Sequence, residues 1–312
     1  MAKKKKEGME LRFYEIPQGE AALILIGDTW VRVYGHEETK LHFHNLMEIG
    51  ICRYGDGEMW LDEEKRQYES GTITVLPQNF PHVTISAGEE PNFWEYIFLD
   101  PKQIVRELYP DNPVYQNEIV ETLSKGPLML NRKQQESLGT IIDVIMDEQR
   151  IQKTYYRQMV KHYVENLVLE IMRQYSSLDH MGDSQPKQTN MLQIAAALEY
   201  ISRNYASPIK AGDLADACSM SETHFRRVFE EYINMSPMDY VNLVRIQKAC
   251  EMMKKTDDSM DIVAVKCGFT TTSTFNRNFK KFLDTSPYQW KINPSTYERR
   301  LLNYHITALK GW

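Results

Sequence analysis

Residues 214–237 have the sequence LADACSMSETHFRRVFEEYINMSP, and residues 263–287 have the sequence VAVKCGFTTTSTFNRNFKKFLDTSP. The two stretches share the order Ala, Cys, Phe-x-Arg-x-Phe, Ser-Pro. From the first Phe of each copy onward the spacings are identical, and only the turn before that Phe is one residue longer in the second copy. Two copies are too few for a solenoid, so this repeat predicts a tandem pair of small helical units.

Each copy has the pattern of a helix-turn-helix. The small residues Ala215 and Ala264 let a second helix approach the first closely. A tight turn follows, at Cys218-Ser219-Met220 in the first copy and at Cys267-Gly268-Phe269 in the second, where Gly268 can adopt a positive φ. The helix after the turn is predicted to begin at a capping residue, Ser221 or Thr270.

The second helix of each copy has one apolar face and one polar face. Phe225, Phe229 and Tyr232 recur at i, i+4 and i+7, as do Phe275, Phe279 and Phe282. The opposite faces carry Arg, Asn, Ser, Thr and Lys, which contact base edges and phosphates in DNA complexes. A helical bundle with a solvated surface is the alternative, but it does not explain why Arg recurs at one offset. The predicted DNA-binding residues are Thr223, Arg226, Arg227, Thr272, Ser273, Asn276, Arg277 and Lys280.

Residues 208–295 resemble the DNA-binding domain of AraC/XylS-type transcription regulators, most closely over residues 262–287. Two departures stand out, Asp284 where the family usually has Gly and Trp290-Lys291 where it usually has Tyr-Arg. The resemblance implies binding to double-stranded DNA, homodimerisation through the sensor part, and contact with RNA polymerase. It also implies activation of transcription, often of carbohydrate or catabolic genes.

Charge is distributed unevenly along the 312 residues, whose net charge is −6. Residues 187–312 contain 17 Lys and Arg against 13 Asp and Glu, whereas residues 1–186 contain 20 against 30. The basic excess therefore coincides with the repeat, which suits a DNA-binding part preceded by an acidic sensing part. Lys3 to Lys6 form a basic start that we interpret as a solvated tail.

The chain predicts a cytoplasmic protein that does not enter a membrane. No apolar run approaches the roughly 18 residues that span a bilayer, and the basic start lacks the apolar core of a signal peptide. The four Cys residues contain no C-x-x-C pair, and they are typical of small buried residues in a reducing compartment.

Residues 11–100 predict a β-rich domain. Short β-branched or aromatic runs, such as residues 47–51, 72–76 and 93–99, alternate with Gly, Pro, Asp and Asn. Many short strands at close spacing favour a small barrel or jelly roll. Trp30, Trp60, Trp94, Tyr96 and Phe98 could line a pocket for a sugar-like effector or form the core.

A second motif lies within this region and resembles the two cupin motifs over residues 35–86. On a strand His42 and His44 share one face, and Glu48 and His82 could complete a set of ligands for a divalent metal. In AraC-type sensors, however, such His residues commonly occur without metal catalysis, and Asn79 replaces the Gly of the second motif. We therefore expect a metal-free effector pocket with no cofactor and keep the metal as the alternative. The predicted pocket residues are His42, His44, Glu48, His82, Trp94 and Tyr96.

The remaining chain predicts helices. Apolar residues recur with helical period over residues 131–175, which favours two antiparallel helices that pack on the barrel or form a dimer interface. Residues 176–189 are polar with Gly and Pro and predict a linker. The predicted fold is α+β: a cupin-like domain over residues 1–130, the helical segment 131–175, the linker 176–189 and an all-α domain with two helix-turn-helix units over residues 190–312.

The sequence therefore favours a ligand-responsive, sequence-specific DNA-binding regulator that is not an enzyme. Its two recognition helices could enter successive major grooves, about 34 Å apart on one face of the DNA. A metal-dependent cupin enzyme with a helical assembly domain is the alternative, although it offers no account of the duplicated Phe-x-Arg-x-Phe helices.

Overall fold

The structure, a computed structural model, describes residues 10–17, 19–35, 41–181, 190–233, 235–293 and 306–310. It divides into two compact units, of which the first consists mainly of residues 12–187 and the second mainly of residues 188–308. No helix among the described residues is long and apolar enough to cross a membrane.

Two antiparallel sheets form the first unit, as the alternating pattern of residues 11–100 predicts. One sheet has the strand order β1-β4-β9-β6-β7, and the other has the order β11-β8-β5-β10-β2, with β3 also paired to β10. A short 3-10 helix, Asp28–Trp30, precedes β3. The strands are β1 (Glu10–Glu15), β2 (Leu23–Leu25), β3 (Val31–Arg32), β4 (His42–His44), β5 (Met47–Tyr54), β6 (Gly57–Leu61), β7 (Glu64–Tyr68), β8 (Thr72–Leu76), β9 (His82–Ser86), β10 (Asn92–Leu99) and β11 (Leu128–Asn131).

Strand β10 shows how the two faces of the second sheet are used. Trp94, Tyr96 and Phe98 point into a core that also contains Met59 and Leu61 of the first sheet. The alternate residues of β10 belong to a second buried cluster, which includes side chains of the helices α3 and α4 defined below. The sheet is therefore buried on both faces, which explains its nearly continuous apolar strands.

Four helices accompany the sheets: α1 (Pro101–Leu108), α2 (Pro113–Leu123), α3 (Glu136–Ile151) and α4 (Tyr156–Met181). The last two confirm the predicted antiparallel pair, and their residues Leu138, Ile142, Leu167 and Ile171 are buried with the sheet. Packing on the sheet, the plainer of the two interpretations, therefore accounts for most of their apolar stripe.

Helices α1 and α2 were not predicted, although the sequence carries a signal for each. Both begin with Pro at the first helical position after an Asx residue, and Asp100 and Asn112 accept hydrogen bonds from the first turn. Pro suits this position because its missing N–H would have no partner there.

The predicted linker begins too early in the sequence. Helix α4 continues to Met181, so the first six residues of the 176–189 segment are helical. The Ser176 and Ser177 hydroxyls donate to the carbonyl oxygens of Met172 and Arg173, four residues back, which accommodates these polar residues within the helix. Residues 182–189 lie outside the described residues.

Seven helices form the described part of the second unit. Helices α6 and α7 make the first helix-turn-helix, and α9 and α10 make the second. Helix α8 contacts α5, α7, α9, α10 and α11, and it is buried almost all round, as a helix holding two units together must be. The helices are α5 (Asn190–Asn204), α6 (Ala211–Ala217), α7 (Glu222–Ile233), α8 (Pro237–Lys255), α9 (Met260–Lys266), α10 (Thr272–Leu283) and α11 (Pro287–Ile292); a twelfth strand, β12 (Ile306–Lys310), follows.

The turns and caps agree with the sequence pattern except at one position. Gly268 has φ 86° as predicted, and the equivalent Ser219 has φ 54°. Ser221 accepts a hydrogen bond from the His224 backbone in α7, but the cap of α10 is Thr271 rather than the predicted Thr270. The extra residue of the second turn moves the start of the helix by one position. Asp284 ends α10 in the left-handed conformation that Gly usually supplies, as its position predicts.

Candidate functional site

The second helix of each helix-turn-helix turns its aromatic face inward. Phe225, Phe229 and Phe275, Phe279 are fully buried, and the rings within each pair lie 5.3 Å and 5.5 Å apart. This packing fixes the rotation of α7 and α10 about their axes. Their polar faces are consequently presented to solvent, where DNA could reach them.

Helix α10 presents a basic and polar face. Ser273, Asn276, Arg277 and Lys280 are exposed. Neither Arg277 nor Lys280 forms an ion pair with any residue that the structure describes. Thr272 is only half-exposed, and its hydroxyl donates to Asp261 Oδ1 of α9 at 2.5 Å, so it serves to hold the two helices together. The predicted contact residues of α10 are therefore available to a ligand, except Thr272.

Helix α7 also exposes its predicted residues, Thr223, Arg226 and Arg227, but in a different electrostatic setting. The Arg226 guanidinium donates twice to Glu222 Oε1, at 2.9 Å and 2.8 Å. Arg227 lies 3.6 Å from Glu231 Oε2. Both Arg side chains of this helix are thus paired with Glu side chains of the same helix.

The first unit contains a cavity of about 410 Å³ between its two sheets. Arg12 and Tyr14 of β1, Arg32 of β3, His82 of β9 and Tyr96 of β10 contribute to its wall. The cavity is lined by Arg12, Tyr14, Trp30, Arg32, Val33, Tyr34, Gly35, His42, Glu48, His82, Val83, Thr84, Tyr96 and Phe98.

The structure brings the three predicted His residues and Glu48 together, all of them buried. One ring nitrogen of each His lies within 4.8 Å of the others. Glu48 Oε2 is 3.1 Å from His44 Nε2 and 3.7 Å from His82 Nε2. The His82 ring also lies close to a backbone carbonyl, with Nδ1 3.0 Å from Phe80 O, an arrangement in which Nδ1 donates and Nε2 faces the cluster.

Burial controls the charge of this cluster. It lowers the pKa of His42 well below the usual value and the pKa of His44 to about 4, so both imidazoles are neutral at physiological pH. Burial alone would raise the pKa of Glu48, but attraction to His44 and His82 overrides it and holds the pKa well below its usual range. Glu48 is therefore an ionised carboxylate.

Neutral imidazoles beside a carboxylate are the donor set that a divalent metal prefers, but two features of the cluster do not fit one. The three ring nitrogens lie within 4.8 Å of one another, whereas bonds of about 2.1 Å to one metal would bring any two of them to within about 4.2 Å. Arg12 Nη1 also donates to His42 Nε2 at 3.2 Å, which directs a positive charge at the cluster. Both features favour a pocket without a metal.

In the sequence Asn79 argues against a metal, but its conformation in the structure favours neither a metal site nor a metal-free pocket. It adopts φ 61°, which Asn tolerates better than most residues, and its N–H donates to His44 O at 2.7 Å. Asn79 thus makes the turn that Gly would make. The guanidinium of Arg12 is therefore the feature that most favours a metal-free pocket.

The aromatic residues predicted for the pocket separate into two groups. Tyr96, Trp30 and Phe98 line the cavity. Trp94 does not line this cavity: it is fully buried against Tyr68 in the core, where Gly50 of the neighbouring strand β5 leaves room for its ring. Trp60 is partly exposed and lies under Lys65.

Arg12, Tyr14, Arg32 and Tyr34 line the cavity and were not predicted. A signal for two of them exists in the alternation Trp30-x-Arg32-x-Tyr34, which places the three side chains on one face. The Arg32 guanidinium lies 5.3 Å from the centre of the Trp30 ring and 4.8 Å from that of Tyr34. No comparable pattern marks Arg12, because its position depends on how β1 joins the sheet.

The chain matches two known domain families. Residues 32–118 match the AraC-like ligand binding domain, and residues 214–293 match a helix-turn-helix domain. These matches coincide with the cavity and with the two recognition helices.

Relatives extend over most of the chain. An uncharacterised HTH-type transcriptional regulator of Haemophilus influenzae is 24% identical over 253 residues, covering 77% of this chain and 84% of the relative. The melibiose operon regulatory protein of Escherichia coli K12 is 22% identical over 260 residues, covering 80% and 82%. The transcriptional activator RhaS of Pectobacterium atrosepticum is 27% identical over 123 residues, covering 39% and 43%.

Among solved structures, unsaturated fatty acid-bound ToxT of Vibrio cholerae is similar over 89% of this chain and 97% of that chain. The identity is 12% and the TM-score is 0.43.

Proposed function

Because the chain belongs to the AraC family of transcription regulators, we propose that its second unit binds double-stranded DNA through α7 and α10 and that its first unit binds a small-molecule effector in the cavity. The relatives are transcription regulators, which are not enzymes. We propose that the protein acts in the cytoplasm, on promoter DNA of its own cell.

One observation supports DNA binding most directly: the same exposed face occurs twice. Arg227 and Arg277 occupy equivalent positions on two helices whose aromatic faces are buried alike. Two polar helix faces on one compact unit suit two major-groove contacts.

The DNA that lies upstream of the protein's own gene is the first probe to test. We expect a mobility shift with this fragment that weakens steeply as salt increases and that resists an excess of unrelated DNA. Binding that unrelated DNA removes completely would contradict sequence-specific recognition.

The effector cavity suits an oxygen-rich, sugar-like molecule. Trp30 and Tyr96 meet edge to face at its wall with ring centres 5.4 Å apart, and such rings pack against the apolar face of a sugar. Arg12 and Arg32 add guanidinium donors for hydroxyl or carboxylate oxygens. A library of sugars and sugar acids, screened by thermal unfolding, tests this proposal because an effector at 100 times its Kd adds about 2.7 kcal/mol of stability.

We further propose that the effector binds without a metal. Elemental analysis of protein purified without a metal-affinity tag should then find less than stoichiometric metal, and a chelator should leave effector binding unchanged. About one equivalent of metal per chain that is lost in the His82→Ala variant would overturn this proposal.

Activation of carbohydrate genes is the biological role that the relatives suggest. One of them regulates the melibiose operon, and another, RhaS, is a transcriptional activator. Contact with RNA polymerase would be part of such a role. A reporter gene behind the protein's own upstream DNA should respond to the effector found by the screen, and a reporter that falls rather than rises with effector would indicate repression.

Homodimerisation through the first unit completes the proposal. Ile151, Tyr155 and Met159 lie around the turn between α3 and α4 and are 59%, 73% and 40% exposed. The packing on the sheet does not use them, so the end of this helical pair remains for contact with a second copy.

A further inference from the structure

The two recognition helices carry opposite charges at equivalent positions of the repeat. When the first Phe of each copy is aligned, Glu230 and Glu231 of α7 correspond to Lys280 and Lys281 of α10. Helix α7 has three Glu and two Arg, whereas α10 has one Arg, two Lys and no acidic residue. With His224 counted as neutral, the helices differ in net charge, −1 against +3.

The ion pairs increase this difference. Arg226 and Arg227 of α7 are each paired with a Glu of their own helix. In α10, by contrast, Arg277 and Lys280 have no acidic partner among the residues that the structure describes, and Lys281 pairs with Asp239 of α8 at 2.6 Å. Helix α10 thus keeps two cations that can approach phosphates without leaving a carboxylate behind.

A phosphate close to one of these helices responds to the helix's whole charge. A helix of twelve residues is about 18 Å long, so a phosphate at its middle lies about one screening length, about 8 Å at physiological ionic strength, from either end. If an Arg of α7 exchanged its Glu partner for a phosphate, the Glu carboxylate would still lie within the screening length of that phosphate. The phosphate would therefore gain little from α7 and much from α10.

Glu231 pairs with Arg227 of its own helix, but no ion pair among the described residues accounts for Glu230, and the helix dipole accounts for neither. Both lie in the last turn of α7, where the helix dipole disfavours negative charge, and both are exposed. The Lys residues of α10 occupy the favourable arrangement at the same end. The acidic end of α7 therefore acts on the ligand that the helix binds rather than on the stability of the helix.

We propose that the second helix-turn-helix supplies most of the phosphate-based affinity for DNA, and that the acidic residues of α7 keep the first helix-turn-helix from binding DNA without a matching base sequence. This inference rests on the proposed DNA-binding function. It makes the two helix-turn-helix motifs unequal: the second supplies most of the attraction to phosphates, and the first depends on contacts with the bases.

A duplex of arbitrary sequence isolates the phosphate contribution from base recognition. The full-length protein would be titrated against a fluorescently labelled duplex of about 40 base pairs, long enough for two adjacent major grooves, at several salt concentrations. Lys280→Gln should lower the slope of log affinity against log salt by about 0.9 and weaken binding about eightfold at about 0.1 M salt. Glu230→Gln, the matched change in α7, should instead strengthen binding about threefold or more.

The Arg residues provide the second comparison. The double variant Arg226→Gln, Arg227→Gln should change the salt slope by less than one phosphate contact, about 0.9. A fall in the salt slope equivalent to about two phosphate contacts in this variant, or weaker binding in Glu230→Gln, would overturn the inequality of the two helix-turn-helix motifs. A wild-type protein that shows no salt-dependent binding to any duplex would overturn the proposed DNA-binding function itself. All the altered side chains are exposed, and circular dichroism would confirm that each variant is folded.

Discussion

At the scale of single residues, the repeat allows one position to be compared with its own duplicate. Ser219 and Gly268 occupy the same turn, with φ 54° and 86°, and each turn is closed by the same two backbone hydrogen bonds. A Cβ on Gly268 would lie 2.4 Å from the carbonyl oxygen of Tyr205, whereas Ser219 is exposed. Only the second turn therefore requires Gly for reasons of space.

The change Gly268→Ala should destabilise the protein by about 2–4 kcal/mol, since it combines backbone strain with a contact that must shift. Ser219→Gly should stabilise it by about 0.5 kcal/mol, because relief of the left-handed strain exceeds the entropy that Gly loses on folding. Urea unfolding of the two variants measures both effects. Similar losses in both variants would show that the turns are equally constrained.

Arg277 is the residue whose role in base recognition can be tested most directly. A bidentate contact with a guanine makes Arg277→Ala weaken specific binding by about 1–3 kcal/mol, with a smaller loss on unrelated DNA. Competition mobility shifts with the upstream fragment and with unrelated DNA give the ratio of specific to nonspecific affinity. An unchanged ratio would make Arg277 a phosphate contact that only positions the helix.

The positions of individual side chains could be predicted from the sequence where a periodic element determines them. The buried Phe pairs and the exposed Arg residues follow from helical spacing alone, and His42 and His44 follow from strand alternation. Arg12 and Trp94 could not be placed in this way. The first depends on how β1 pairs in the sheet, and the second on the space that Gly50 leaves on a neighbouring strand.

At the scale of elements, a buried Arg joins α8 to the loop before α6. Arg245 is 8% exposed, and its guanidinium donates to the carbonyl oxygens of Tyr205 and Ser207, both at 2.8 Å. The same loop touches Gly268, so Arg245 helps to hold the second helix-turn-helix in place. Nothing in the helical pattern of α8 distinguishes this Arg from an exposed one.

Replacing Arg245 with Met should lower the free energy of unfolding by about 2–3 kcal/mol, because two charge-assisted hydrogen bonds are lost and the carbonyl oxygens lose their partners. Arg203→Met on α5 is the control: this Arg is about half exposed and, among the residues that the structure describes, pairs with Glu199 alone, so its loss should cost less than about 0.5 kcal/mol. Thermal and urea unfolding of the two variants decide the matter. Equal effects would show that Arg245 is an ordinary surface charge.

The elements themselves could be predicted where the periodic pattern is long. Helix α8 begins at Ser236-Pro237 as its cap indicates, and α3 and α4 follow from their apolar stripes. The short helices α1 and α2, of 8 and 11 residues, were missed because two to three turns give too few apolar repeats, and only their Asx-Pro starts mark them. The end of α4 was missed because Ser residues inside a helix look like linker in the sequence.

At the scale of the whole molecule, the first unit provides a test of dimerisation. Residues 1–187 should sediment as a dimer at micromolar concentration, since the helical end around Tyr155 would otherwise leave an apolar surface in water. Tyr155→Ser with Met159→Ser should give a monomer of unchanged fold. A monomeric wild-type unit would remove the proposed interface.

The sequence predicts a sensing part and a DNA-binding part from charge and from the repeat, and the structure divides into two compact units near residue 188. The helical pair α3 and α4, predicted as a segment of its own, instead shares a buried core with the sheet. Which of two surfaces an apolar helix covers depends on tertiary packing, so the sequence left both alternatives open.

A fragment of residues 191–312 should fold alone and bind DNA. Its helices contact one another around α8, and their buried residues, such as Phe229, Ile246 and Phe279, are enclosed within the unit. On a duplex of arbitrary sequence, the slope of log affinity against log salt should be the same for the fragment as for each DNA-binding part of the full chain. Lys280→Gln should lower that slope by about 0.9 in the fragment and in the full chain alike. The effector that stabilises the full chain should leave the melting temperature of the fragment unchanged, because the cavity belongs to the first unit. If circular dichroism showed the fragment to be unfolded, or if the fragment responded to the effector, the proposal that the first unit binds the effector and the second unit binds DNA would be contradicted.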